Sequence, residues 1–216
     1  MSDEMILPVF PLPEVILFPR TMLPLHIFEP RYRELVTDML SKPENERLIV
    51  ISNMTKVDQQ KGSNPFASVA TVGKMIHYEL LPDGRSNIVL QGQFTADIEE
   101  VIPSPKSYRI CKIMKIREEY WSDPLADRQD EYSKLLESIR DFMNRTNSRI
   151  KNLDEVALDD LINGLAFSLN IESDDKQELL ESQKLDERLD QLIQILNQIG
   201  FYSNYIPSEE EYSGIN

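Results

Sequence analysis

The chain has 216 residues, 41% of them apolar and 28% charged, and a formal net charge of −14. This is the composition of a soluble globular protein, long enough for one large domain or two small ones. The acidic balance disfavours a partner with a phosphate backbone, so no nucleic acid is expected.

The first third reads as short strands punctuated by proline. Val9–Tyr32 holds five prolines among Val, Ile, Leu and Phe. Apolar runs at 5–10, 15–18 and 22–28 have proline at their edges, which suits strands at a sheet rim, where a missing N–H breaks no ladder bond. From Pro30 the spacing turns helical, with Tyr32, Leu35, Val36, Met39 and Leu40 on one face. Residues 47–52 read as a buried strand, and 53–68 as a polar loop. Ile76, Tyr78 and Leu80 alternate, as do Ile88 and Leu90. Pro82-Asp83-Gly84 between them predicts a hairpin of 74–81 with 86–91, because proline presets φ and glycine accepts a positive one. Residues 107–118 read as the last strand.

From residue 121 the pattern changes to a 3.6-residue period. Stripes at 127–146, 154–169 and 186–200 predict helices. Ser173 is expected to cap a helix at 173–181, and Gly200 to stop the last one. Charge divides the same way. Residues 1–120 carry 14 Lys/Arg against 16 Asp/Glu, and 121–216 carry 9 against 21. Strands first and helices second argue an α+β fold. The expected domains are a β-rich part at 1–120, a helical part at 121–200 and an acidic tail at 201–216.

Residues with chemical potential are scattered. One cysteine, Cys111, excludes an intramolecular disulfide, and with only His26 and His77 beside it no four-ligand zinc site forms without several carboxylates. Cys111 reads as a buried small hydrophobe. Ser173 and Lys176 have the Ser-x-x-Lys spacing but lack its partner motifs. Asp159-Asp160 and Asp174-Asp175 read as helix-surface or first-turn acids, and Trp121 as packing between the two parts. No phosphate loop occurs. No metal, no cofactor and no catalytic residue is therefore expected. The N-terminus lacks the basic and apolar regions of a signal peptide, and no apolar run could span a bilayer, so a cytoplasmic protein without a membrane partner is expected.

The segment LPVFPLPEVILFPRTMLPLHIFEPRYREL resembles the opening of the N-terminal domain of Lon proteases, with Leu7, Pro8, Pro11, Leu12, Phe18, Pro19, Pro24 and Leu25 in the family's pattern. IFEPRY at 27–32 is similar to the form in stand-alone members and cereblon-type proteins. A second block, residues 68–101, has Val72-Gly73, Leu81-Pro82-Asp83-Gly84 and Gly92 in place, with Thr95 or a neighbour where the family has an arginine. A third block, 175–196, is similar to the helical segment that follows in full-length Lon. The resemblance covers about residues 6–196 and implies a PUA-like, highly twisted β pseudobarrel followed by a small helical bundle.

The ATPase and Ser-Lys protease motifs of full-length Lon do not occur in these residues, so the resemblance implies a non-enzymatic module that engages unfolded polypeptide or a partner protein. An adaptor acting in trans with a protease, an RNA-binding PUA-like protein, and an enzyme assembled around His26, His77 or the cleft between the two parts are the alternatives. The candidate binding surface is Met22, Leu23, Phe28 and Tyr32, at the apolar end of the proline-punctuated segment.

Overall fold

A computed structural model describes residues 3–54, 66–117, 133, 135, 136 and 156–198. Trp121, most of the stripe at 127–146, the interior of the loop at 53–68, Gly200 and the acidic tail lie outside the described residues, as does the expected boundary between the two parts.

Six strands form one sheet: β1 (Glu4–Leu12), β2 (Met22–Ile27), β3 (Leu48–Asn53), β4 (Val69–Leu80), β5 (Ser86–Ile102) and β6 (Arg109–Lys115). Their order is β2-β5-β4-β3-β1-β6, and β5 also pairs with β6, which closes five of the strands into a barrel. Closure depends on the length of β5. Along Ala96–Ile102 it pairs with β6, and along Ser86–Gln91 it pairs instead with β2. Helix α1 (Pro30–Leu40) buries Tyr32, Leu35, Val36 and Met39, the face expected from their spacing.

The prolines sit where a donor is dispensable. β1 pairs with β6 over Glu4–Val9 and with β3 over Val9–Leu12. Each half of β1 therefore has a ladder on one side only, so Pro8 and Pro11 interrupt nothing. Pro24 lies on β2, whose sole strand partner among the described residues is β5. One expectation fails here: 15–18 is not a strand. This stretch joins the two parts instead, with Leu17 in the barrel core and Ile16 and Phe18 in the core of the helical part.

The expected hairpin forms. Leu81 N–H donates to Arg85 O at 2.9 Å, Gly84 N–H donates to Leu81 O at 3.0 Å, and Gly84 has a φ of 81°. After the barrel come α2 (Leu158–Ser168), α3 (Ser173–Glu181) and α4 (Leu185–Gln198). Leu161, Ile162, Leu179, Leu180, Leu189 and Leu192 build their common core. Ser173 is the first helical residue of α3 rather than its cap. Glu172 holds the cap position and makes no side-chain cap bond.

Candidate functional site

β2, the first half of β5 and the outer half of β4 form a three-stranded arm that extends past the closed barrel. Cross-strand partners on its outer face are Met22 with Gln91, Pro24 with Val89, and Val89 with His77. β4 carries an irregularity between Met75 and His77, so Ile76 is an extra residue in that strand. The seven large exposed apolar residues of the described chain are Ile6, Met22, Phe28, Met54, Ile76, Tyr78 and Leu80. Five of them lie on this arm or, as with Phe28, immediately after β2.

The expected surface divides in two. Met22 is 58% exposed and Phe28 60% exposed, whereas Leu23 at 8% and Tyr32 at 4% belong to the barrel core. Neighbours on a strand face opposite ways, so Met22 and Leu23 could not both face solvent on a one-sided sheet. Tyr32 packs its ring 3.9 Å from that of Phe10, with Arg31 on it at 4.6 Å. Burial raises the Tyr32 phenol above its usual pKa. Ile76, Tyr78 and Leu80 were legible as a strand by alternation, but their exposure follows from how far β4 outruns β3, which no local pattern reports.

His26 and His77 do not converge. His26 Nδ1 bonds Asn87 Oδ1 at 2.8 Å, and Asn87 Nδ2 donates to Glu79 Oε2 at 2.8 Å. Arg85 approaches His26 Nε2 at 3.4 Å. No group of three or more metal-ligating side chains occurs among the described residues. Lys176 donates its Nζ to the Phe167 carbonyl at 2.8 Å, which ties α3 to the end of α2. Burial lowers its pKa and raises that of the Cys111 thiol to about 11. Lys176 and Cys111 are thus used in the packing of the fold, while His26 belongs to an exposed hydrogen-bonded chain on the arm.

The second candidate place is the junction of the two parts. Arg20 reaches from the β2 approach to Asp159 at 3.0 Å and Asp160 at 2.7 Å, so these acids, in the first turn of α2 as expected, are also partners across the junction. A cleft of about 220 Å³ lies beside them, lined by Pro19, Arg20, Phe94, Thr95, Lys115 and Asn163 among others. Behind it the buried Arg188 donates to Asn163 Oδ1 at 3.0 Å and to the Ser182 carbonyl at 2.7 Å. A second hollow, about 590 Å³, runs between α1 and the β4–β5 hairpin, lined by Pro30, Arg33, Glu34, Thr37, Leu80 and Gly84 among others.

The fold recurs in known proteins. The profile of the ATP-dependent protease La (LON) substrate-binding domain matches residues 6–198. The chain belongs to the LON substrate-binding domain family. Among solved structures, the N-terminal domain of Mycobacterium avium complex Lon protease superimposes with a TM-score of 0.70 at 17% identity, over 94% of this chain and all of that one. The Lon N-terminal domain protein from Xanthomonas campestris gives 0.60 at 18% identity, over 88% of this chain and 98% of that one. These likenesses confirm the expected PUA-like α+β fold.

Full-length relatives include the Lon proteases of Flavobacterium johnsoniae, 24% identical over 203 residues, and Escherichia coli (strain K12), 22% identical over 203 residues. The LON chain described here spans about a quarter of their length, 24% and 25% respectively, while 88% and 90% of it is matched. These 216 residues contain the substrate-binding domain and neither the ATPase nor the protease domain of those relatives. No helix among the described residues is long and apolar enough to cross a membrane.

Proposed function

We propose that this LON domain binds exposed segments of other polypeptides and performs no chemistry itself. The observation that carries this reading is the gathering of Met22, Phe28, Ile76, Tyr78 and Leu80, all exposed, on one arm outside the barrel, with Met22 and Phe28 on its outer face and Tyr78 and Leu80 on the face toward α1. Scattered apolar residues need no explanation, but a group of them on one projecting element marks a surface for apolar partners. The relatives' domain is described as substrate-binding, and in Lon proteases a substrate is a polypeptide, which agrees with this surface. The absence of chemistry is supported by the engagement of His26, Lys176 and Cys111 in hydrogen bonding or packing.

The test is fluorescence anisotropy with a reduced, alkylated and therefore unfolded polypeptide. The wild-type domain binds it, and the paired substitutions Met22→Asp and Phe28→Asp weaken binding about tenfold, the loss expected when two apolar contacts of a hot spot are removed. Unchanged affinity in the folded double variant removes Met22 and Phe28 from the surface. No binding by the wild type refutes the function.

A further inference from the structure

We infer that the outer half of β4 is a docking edge for an extended peptide, which adds to the sheet as a further strand and places an acidic side chain against Arg33. This inference rests on the polypeptide-binding reading above and specifies its mode.

β3 runs beside β4 only from Leu48–Lys74 to Ile51–Thr71. One more bond, from Met75 N–H to Arg47 O at 2.9 Å, ends the contact, with the turn Glu44–Glu46 next to it. Past that point β4 continues to Leu80 with β5 on one side and, among the described residues, no strand on the other. The register fixes which backbone groups face the empty side. Leu81 N–H bonds Arg85 O, so the pairs Glu79–Asn87 and His77–Val89 are the hydrogen-bonded ones. Tyr78–Ile88 and Leu80–Ser86 alternate with them, so the N–H and C=O of Tyr78 and Leu80 point away from β5. Each of these two residues offers one donor and one acceptor to an incoming chain.

Natural sheets blunt such edges with proline or lysine. The other free edge of the arm, along β2, is interrupted by Pro24, which offers no N–H. Met75–Leu80 contains neither proline nor lysine, its one irregularity is at Ile76, and beyond it the exposed apolar Tyr78 and Leu80 share one face while His77 and Glu79 lie on the other. An incoming strand would point alternate side chains to the Tyr78 and Leu80 face, toward the hollow against α1.

Charge selects the occupant. Arg33 lies at the Leu80 end of this hollow, with its guanidinium held against Gly84. Among the described residues it makes no ion pair, in a chain whose net charge is −14. The other charges that line the hollow are already engaged, Glu34 by Lys106 and Ser107 and Arg85 by Asp83, and outside it Arg47 sits over the Tyr78 ring at 5.6 Å and donates to the Lys42 carbonyl. An extended segment with apolar residues at every second position and one acidic residue beside Arg33 satisfies the backbone edge, the apolar face and the cation together.

The probe is a fluorescent peptide alternating valine and threonine, ended by glutamate. Expected results are binding by the wild type, a loss of about tenfold when the valine amides are N-methylated, and little change when the threonine amides are methylated instead. Leu80→Pro removes one outward N–H without touching the β5 ladder and produces a similar loss. Arg33→Glu weakens the glutamate peptide, and a lysine-ended peptide regains affinity for that variant. Equal binding of the two methylated peptides overturns the docking edge, and this arm of the test needs no variant to fold. Unfolded polypeptide that binds the wild type and folded Leu80→Pro alike leaves the general function standing and sinks the edge. Self-association that Leu80→Pro abolishes, seen by sedimentation with no peptide binding, assigns the edge to a second copy and also overturns the proposal.

Discussion

A Cβ placed on Gly92 would lie 2.1 Å from the carbonyl oxygen of Phe18. The two backbones are locked together on either side of that approach. Arg20 N–H donates to Gly92 O at 2.8 Å, and Gly92 N–H donates to Thr21 O at 2.9 Å. Gly92 lies where β5 passes from pairing with β2 to pairing with β6. The same contact aims Phe18 into the helical core and Arg20 at α2.

Gly92→Ala is therefore expected to destabilise the fold by about 3 kcal/mol, at the upper end of overpacking costs, because the obstruction is backbone. The urea unfolding midpoint measures it. A loss below about 1 kcal/mol would mean that the 18–21 segment can lift off β5 without consequence.

Arg20 holds its place with a φ of 65°, a left-handed conformation that disfavours most side chains. Its reward is the pair of acids on α2. Arg20→Ala is expected to cost about 1 kcal/mol, less in high salt, since the arginine side chain is half exposed. Hydrogen exchange should show the loss in α2 and leave β1 and β6 unchanged.

Arg188 is almost wholly buried within the helical part. Arg188→Ala leaves a cavity and strips Asn163 Oδ1 and the Ser182 carbonyl of a donor. The expected loss is about 3 kcal/mol. Arg188→Met keeps most of the volume and should recover part of that loss in the same thermal melt.

Two acids should give opposite pH profiles. Burial pushes the Asp97 carboxyl up, and Glu99 and Glu181 add like charge, so its folded-state pKa lies above the usual range. A raised pKa gives stability that is present at low pH and lost as pH rises through it. Asp97→Asn should therefore stabilise the protein at neutral pH, by less than about 1 kcal/mol, and have no effect at pH 3. Burial also raises Asp38, but hydrogen bonds from Lys106 and Tyr108 outweigh it, and its pKa falls below the usual range. Its contribution is present at neutral pH and lost as pH falls through that lowered value. Asp38→Asn should destabilise at neutral pH and converge on the wild type in acid. Denaturation midpoints across pH 2.5–7 separate the two signs.

The hairpin and the buried face of α1 were legible because their signals are local: Pro82-Asp83-Gly84 for the turn, and Tyr32, Leu35, Val36 and Met39 for the helix. The role of 15–18 was not. Its apolar run resembles a strand, and only the placement of the helical part reveals that Ile16 and Phe18 bridge two cores. For the surface, alternation could show that one of Met22 and Leu23 is buried, but choosing between them required the pairing of β2 with β5. Tyr78 and Leu80 could be assigned to a strand, while their free edge depends on β3 stopping at its pairing with Lys74, a long-range fact.

During synthesis from the N-terminus, the first half of β1 must wait for Arg109–Lys115 before it acquires a neighbour. Until then its ladder groups lie open to any passing strand, the condition under which nascent chains misassociate. Pro8 stands within this waiting half, and Pro11 and Pro13 follow closely. A proline in an unpaired strand withholds a donor from foreign chains and still fits the finished ladder. The proline spacing that suits a sheet rim thus also acts as a gatekeeper for the nascent polypeptide.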